Sequence, residues 1–224
     1  MKRGMKYKRL FLILFVTLLS LGLNAKNTGR VVATLTLNDG IVIHGFASIN
    51  SSGDKVTIED IHKRKVSKFS SEKIKSLVIP PSGDDTTIVT YIPILVHQPW
   101  YPGKESQKPK MVTKVFDSHY VEGYTGVETD YAYTGSASFS YAVNTYYYRI
   151  KGEMRAYGYW KDINFSGFNL KKFLKYYLKR FPGIIDFINS NGIEKKAFLE
   201  NPTMIMPLID EAVRSGNYQI IEEK

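Results

Sequence analysis

The sequence predicts an α+β protein in three parts: an N-terminal small β-barrel, a tyrosine-rich antiparallel sheet and a C-terminal helical segment. Three observations carry that expectation. Short runs of alternating apolar and polar residues, separated by turn residues, fill positions 29–79. Ten of the 16 tyrosines lie between Tyr120 and Tyr159. From Phe168 onward the apolar period changes from two to that of a helix.

A leader precedes these parts. Lys2, Arg3, Lys6, Lys8 and Arg9 come first with no acid among them, then an apolar run from Leu10 to Leu23, then small residues at Gly22 and Ala25. That order is that of a secretory signal peptide over residues 1–25. The alternative is a single-span anchor, but the apolar run is 14 residues long, and crossing a bilayer takes roughly 20. Removing the leader takes five of 31 basic residues and leaves 26 against 21 acidic, net +5. A charge of that size aids solubility and does not call for nucleic acid as a partner. The chain has no cysteine, which excludes disulfides, thiolate metal sites, a cysteine nucleophile and a lipid anchor on cysteine. The expected location is the periplasm or cell envelope, with membrane contact only through the leader before cleavage.

Residues 26–79 are the expected barrel unit. Val31, Ala33, Leu35 and Leu37 alternate with Val32, Thr34 and Thr36, and Asn38-Asp39-Gly40 supplies a hairpin turn. Ile41, Ile43, Gly45, Ala47 and Ile49 form a second strand, Val56 to Ile61 a third, Val66 to Phe69 a fourth and Lys75 to Ile79 a fifth. Ser70 to Lys73 suits one helical turn capped by serine. Five short strands in about 50 residues fit a strongly bent barrel of the SH3 or Sm type. The spacing Leu37-x-Asp39-Gly40-x-x-x-x-Gly45, closed by Ile74-x-x-Leu77-x-Ile79, looks like such barrels.

Pro80-Pro81-Ser82-Gly83-Asp84-Asp85 reads as a linker over 80–85. In the aromatic-rich region 86–165, Ile88 to Val96 predicts a strand with Pro93 at an edge or bulge. Gln98 to Lys110, with three prolines, predicts an extended loop, and three to five antiparallel strands follow. Residues 166–224 are helical. Leu170, Phe173, Leu174, Tyr177, Leu178 and Phe181 make an apolar stripe opposite Lys171, Lys172, Lys175 and Lys179. Pro182-Gly183 is expected to end that helix, Ile184 to Asn189 to form another, and Asn201-Pro202 to start a last one running to Arg214, bent or restarted at Pro207.

Chemistry-bearing patterns are sparse. His44, His62, His97 and His119 have no metal-ligand spacing, and His119 beside Asp117 and Glu122 is their one local cluster. Gly135-Ser136-Ala137-Ser138 is not a nucleophile elbow. Glu122, Glu128, Asp130 and Glu153 include enough acids for a glycosidase pair, which needs two carboxyls a few ångströms apart. No catalytic residue, metal or cofactor is assigned from these. The binding candidates are the aromatics Trp100, Tyr131, Tyr133, Tyr141, Tyr146, Tyr148 and Trp160, whose faces stack on sugars and peptide side chains. Strand propensity offers a second explanation for the same tyrosines, as core and sheet surface. The basic face at 168–180 is expected to meet water rather than an anionic surface.

The leader, then Leu37-Asn38-Asp39-Gly40, Ile43-His44-Gly45, Lys68-Phe69-Ser70 and Ile74-Lys75, then Tyr146-Tyr147-Tyr148-Arg149, and last Phe173 to Pro182 come in a suggestive order. Together they resemble a loose group of exported, functionally unassigned proteins common in Bacteroidota. The resemblance implies a compartment and an order of parts, and brings no catalytic residue with it. The expected function is that of an exported, non-enzymatic envelope protein binding a protein or glycan of the envelope. The alternatives are a hydrolase of cell-wall or dietary polymer and a structural subunit assembling through β edges.

Overall fold

The computed structural model describes residues 30–83, 86–98, 107–134, 137–162 and 169–220, with the backbone alone at 130–140. The leader, residues 84–85 of the expected linker, and Trp100 lie outside the described residues. The architecture is α+β, one large sheet with a few short helices. Among the described residues eleven strands follow the order β4-β3-β2-β1-β5-β6-β8-β9-β10-β11-β7. Among the described residues no helix is long and apolar enough to cross a membrane.

The first five strands are β1 (Val31–Leu37), β2 (Val42–Ile49), β3 (Lys55–Asp60), β4 (Val66–Ser70) and β5 (Ile74–Ile79). The β1–β2 turn is the one expected: Gly40 has φ +88°, and Asp39 accepts the Ile41 N–H at 3.0 Å. A single 3-10 turn, Ser71–Lys73, leads into β5. Its preceding Ser70 does not cap it; the hydroxyl donates to Glu72 instead. Inward residues of these strands, Leu35, Ala47, Val56, Ile58, Ile74 and Leu77, are all within 1 % of full burial.

The expectation of a closed small barrel is corrected here, because the sheet is not closed. The second edge of β5 is taken by β6 (Val89–Ile94), so the N-terminal strands run on into the others. Met111 of β8 (Lys110–Asp117) also enters their core. Met111 N–H bonds Gly53 O at 2.7 Å, and the buried Ser71 donates to Pro109 O at 2.5 Å, fixing the N-terminal strands to β8.

Beyond β8 come β9 (Val121–Thr134), β10 (Ala137–Ile150) and β11 (Ala156–Lys161). The two-residue β7 (Val96–His97) pairs parallel with β11, although only Leu95 separates it from β6. The far edge of the sheet is thereby drawn back beside its middle. Pro93 lies inside β6 and not in an edge strand. The β5 ladder stops at Tyr91, so at position 93 only β8 lies alongside, and a residue without N–H fits.

Helices α1 (Leu170–Tyr177), α2 (Pro182–Asn189), α3 (Lys195–Glu200) and α4 (Met206–Arg214) cover one face of β9–β11. Asn169 caps α1 by accepting the Lys172 N–H. Pro182 was expected to stop a helix, but it starts α2 at the first position, where its missing N–H has no partner to lose. Pro202–Ile205 forms a 3-10 turn, and the helix restarts at Met206 with Pro207 in its first turn.

Candidate functional site

Strand alternation divides the tyrosine run of β10 between two faces. Tyr146, Tyr148 and Ile150 lie toward the helices, while Tyr147 joins Ile94, Val96, Val112, Tyr124 and Ala156 in an inner cluster. That cluster draws residues from β6, β7, β8, β9, β10 and β11, so the C-terminal strands curl around it. At each end of it a glutamate of β9 is buried.

At one end, Glu122 accepts from Lys114 Nζ at 2.7 Å, from Arg149 Nε at 2.8 Å and from Tyr124 Oη at 2.8 Å. Lys114 also reaches Asp117 at 3.2 Å, and Asp117 pairs with Lys151 at 3.0 Å. Burial by itself would raise the Glu122 carboxyl. The bonds from Lys114, Arg149 and Tyr124 outweigh it and bring the pKa down to about 2. Burial, and next the bond to Glu122, push the Tyr124 hydroxyl up. At the other end, Glu128 Oε1 accepts from Lys110 at 2.6 Å, from Tyr147 Oη at 3.0 Å and from Gln98. This glutamate therefore ties β8, β9, β10 and the residue after β7 together.

A further ion pair, Arg180 with Glu153, lies outside the curl. Arg180, 3 % exposed, pairs with Glu153 at 2.7 Å and donates to Gln219 O. Its guanidinium sits 5.3–5.8 Å from the rings of Tyr157, Phe181, Tyr218 and Tyr148. These pairs bear on the acids expected as possible catalytic partners. Glu122 and Glu128 are six positions apart on one strand, roughly 20 Å, against the 5–10 Å or so that a glycosidase pair requires. Asp130 lies among the residues whose backbone alone is described.

The aromatic candidates do not form one surface. Trp160 and Tyr148 are 1 % exposed and belong to the core beneath the helices. The Trp160 ring meets Phe173 and Phe198 edge to face, and Tyr148 stacks on Tyr157. Tyr146 is half-buried against Tyr159. Tyr141 is half-buried on β10, and Tyr131 and Tyr133 lie on β9 near the hairpin tip. His119 packs on Tyr120, His97 on Tyr157, and His44 Nδ1 lies 3.0 Å from the Thr34 hydroxyl. Among the described residues no three metal-ligating side chains converge.

What Tyr131, Tyr133 and Tyr141 share is a ribbon. β9 and β10 pair residue for residue from Val121–Ile150 to Thr134–Ala137. Their other neighbours are much shorter. β8 pairs with β9 only up to Thr125, and β11 with β10 only from Thr145. Among the described strands, then, the outer halves of β9 and β10 pair only with each other. Two bonds reveal which backbone groups face outward there. The Thr129 N–H bonds Ser51 O, and the Asn144 carbonyl accepts the Asp162 N–H at 2.9 Å. Since outward groups recur every second residue, Tyr131 and Tyr133 present theirs on the β9 edge, and Ser138, Ser140 and Ala142 on the β10 edge.

Sequence reasoning missed the hydrogen-bonding partner Gln98 and the ionic partners Lys110, Lys114, Arg149 and Arg180. The available signal was charge at inward strand positions: Lys110-x-x-x-Lys114 and Glu122-x-Tyr124-x-Gly126-x-Glu128 share a face by alternation. Compared with models of known protein families, with curated proteins and with solved structures, the chain matches none.

Proposed function

We propose that this protein is an exported component of the cell envelope that acts by binding a protein or glycan there, without catalysis, with the β9–β10 ribbon as its contact element. The single observation that carries the reading is the ribbon itself. A two-stranded hairpin alone is marginally stable in water, so a long one that outruns its neighbours is suited to pairing with something else. Tyr131, Tyr133 and Tyr141 on it supply aromatic area with a polar tip. The leader supports the compartment, and the modest net charge gives no reason to expect nucleic acid.

Within this reading the five N-terminal strands are an SH3- or Sm-like unit. Their order β4-β3-β2-β1-β5 and the 3-10 turn between β4 and β5 support it. A structural subunit joined through β edges is the second reading, favoured by the run from Tyr131 to Tyr148, which carries no charged residue. Hydrolysis of a polymer has less support, since Glu122, Glu128 and Glu153 each already pair with a cation.

The test is binding of the exported protein to isolated cell-wall and membrane fractions. Tyr131→Ala, Tyr133→Ala and Tyr141→Ala are each expected to weaken binding several-fold. Unchanged binding in all three would overturn the ribbon as contact element.

A further inference from the structure

We propose that the β10 edge of the ribbon, residues 137–143, pairs antiparallel with the same edge of a second copy of this chain, about a two-fold axis at Ser140. The pairing rests on the reading of the ribbon as the contact element, and it names the partner.

The first argument is the contrast between edges. A free strand edge is a template for another strand, and proteins guard against this with short strands, lysine, proline or bulges. The β4 edge is guarded: it is five residues long, contains Lys68 and follows Lys63-Arg64-Lys65. The opposite edge is β7, only two residues long. The ribbon has none of these devices. From Tyr131 to Tyr148 the sequence contains no acidic, basic, histidine or proline residue, and the β9–β10 register runs through all fourteen pairs without a shift. Among the described strands none lies beside residues 137–143 on that side, and an unguarded edge of this length fits a strand partner.

The second argument is that the edge is complementary to itself. Ser138, Ser140 and Ala142 present three N–H and three C=O groups outward, the phase being fixed by the outward bond at Asn144. With the axis at Ser140, the middle of the three, position 138 faces 142, 140 faces 140 and 142 faces 138. Every one of those groups then has a partner, giving six inter-chain bonds. Shifting the axis by two residues in either direction leaves part of the set unpaired. In the same register position 139 opposes 141 and 137 opposes 143, so no charged residue stands opposite another across the interface. A neutral edge also lets two copies of a net-positive chain meet without opposing charges at the contact.

The absence of cysteine makes the register directly testable. Facing residues of an antiparallel pair have Cα atoms about 5.5 Å apart, within disulfide range. The protein expressed from the full chain as Ser140→Cys is expected to form a covalent dimer on mild oxidation, while Lys75→Cys, exposed on β5, stays monomeric. By sedimentation, the unaltered protein is expected to show a concentration-dependent twofold rise in mass. Ser140→Pro removes an outward N–H and no β9–β10 bond, and is expected to abolish the rise with an unchanged far-UV spectrum. A monomer at every concentration, equal cross-linking at 75 and 140, or a folded Ser140→Pro that still dimerises would overturn the proposal. If Ser140→Pro does not fold, the cysteine pair decides. A monomer whose envelope binding still depends on the tyrosines would overturn the self-pairing alone. A dimer whose envelope binding ignores them would overturn the envelope-binding role alone.

Discussion

β1–β4 and β9–β11 belong to one sheet, yet they solve the problem of two faces in opposite ways. In the N-terminal strands burial alternates: Ala33, Leu35 and Leu37 are inside, while Val32 and Phe46, which are paired across β1 and β2, are 50 % and 43 % exposed. In β11 every residue from Ala156 to Lys161 is buried. The helices cover one face of β9–β11, and the curl around Tyr124 and Tyr147 covers the other. Aromatic residues therefore carry different weight in the two regions. Where β10 and β11 are covered on both faces, Tyr147, Tyr148 and Trp160 are packing, and on the outer face of the N-terminal strands Phe46 is surface.

The sharpest way to break this comparison is to truncate one aromatic of the doubly covered region. Trp160 is fully enclosed, with edge contacts from Phe173 of α1 and Phe198 of α3. Trp160→Ala should cost about 3–5 kcal/mol, lost apolar burial plus an unfilled cavity. That is a large part of the total stability of an ordinary domain. Chemical denaturation measures it, and a loss below about 1 kcal/mol would contradict the assigned core.

Two glycines probe how closely each region is built. A Cβ at Gly45 would lie 2.1 Å from the Glu59 carbonyl oxygen, so β2 and β3 would have to separate. A Cβ at Gly123 would lie 2.9 Å from Phe116 Cβ and from Met206 Sδ, and the flexible methionine can yield. Both alanine variants should destabilise, by about 1–3 kcal/mol, with Gly45→Ala the worse. The reverse order in thermal unfolding would mean that the helix layer is the more rigid contact.

The sequence was most legible where one face alone is buried. Alternation from Val31 to Leu37 together with Asn38-Asp39-Gly40 defines the first hairpin, because an inward–outward strand leaves a period of two. The amphipathic α1 was visible for the same reason. Tyr146, Tyr147 and Tyr148 gave no such guide, since a strand buried on both faces has no polar side to set its phase. Helix α3 escaped notice because it is six residues long and Glu194 before it makes no side-chain cap. The tyrosines of the ribbon were readable as strand residues. That the neighbours of β9 and β10 stop early was not, for lateral pairing depends on chain folding far from the hairpin. The same holds for the ionic contacts: Arg149 is 27 residues from Glu122, and Arg180 is 27 from Glu153.

The inner acid supplies the next test. Glu122 has its pKa depressed to about 2, so its ionised form favours the folded state above the ordinary carboxylate range. That contribution is lost as pH falls from about 5 toward 2. Glu122→Gln should therefore lower stability at neutral pH and flatten the acid limb of the stability curve. Parallel acid limbs in the two proteins would show that the cluster does not hold Glu122 ionised.

The smallest effect is expected on the open face. Phe46 pairs across strands with Val32 and Glu59, and the row continues to Val66, 47 % exposed. Phe46→Ala removes a ring that water already reaches, so only the cross-strand contact is lost, and the cost should stay below about 1 kcal/mol. The matched Trp160→Ala loss should be several times larger, although both side chains are aromatic and both stand on strands of one sheet. If Phe46→Ala instead costs as much as Trp160→Ala, the outer face of β1–β4 is covered in solution. The two halves would then differ in what covers them rather than in whether they are covered.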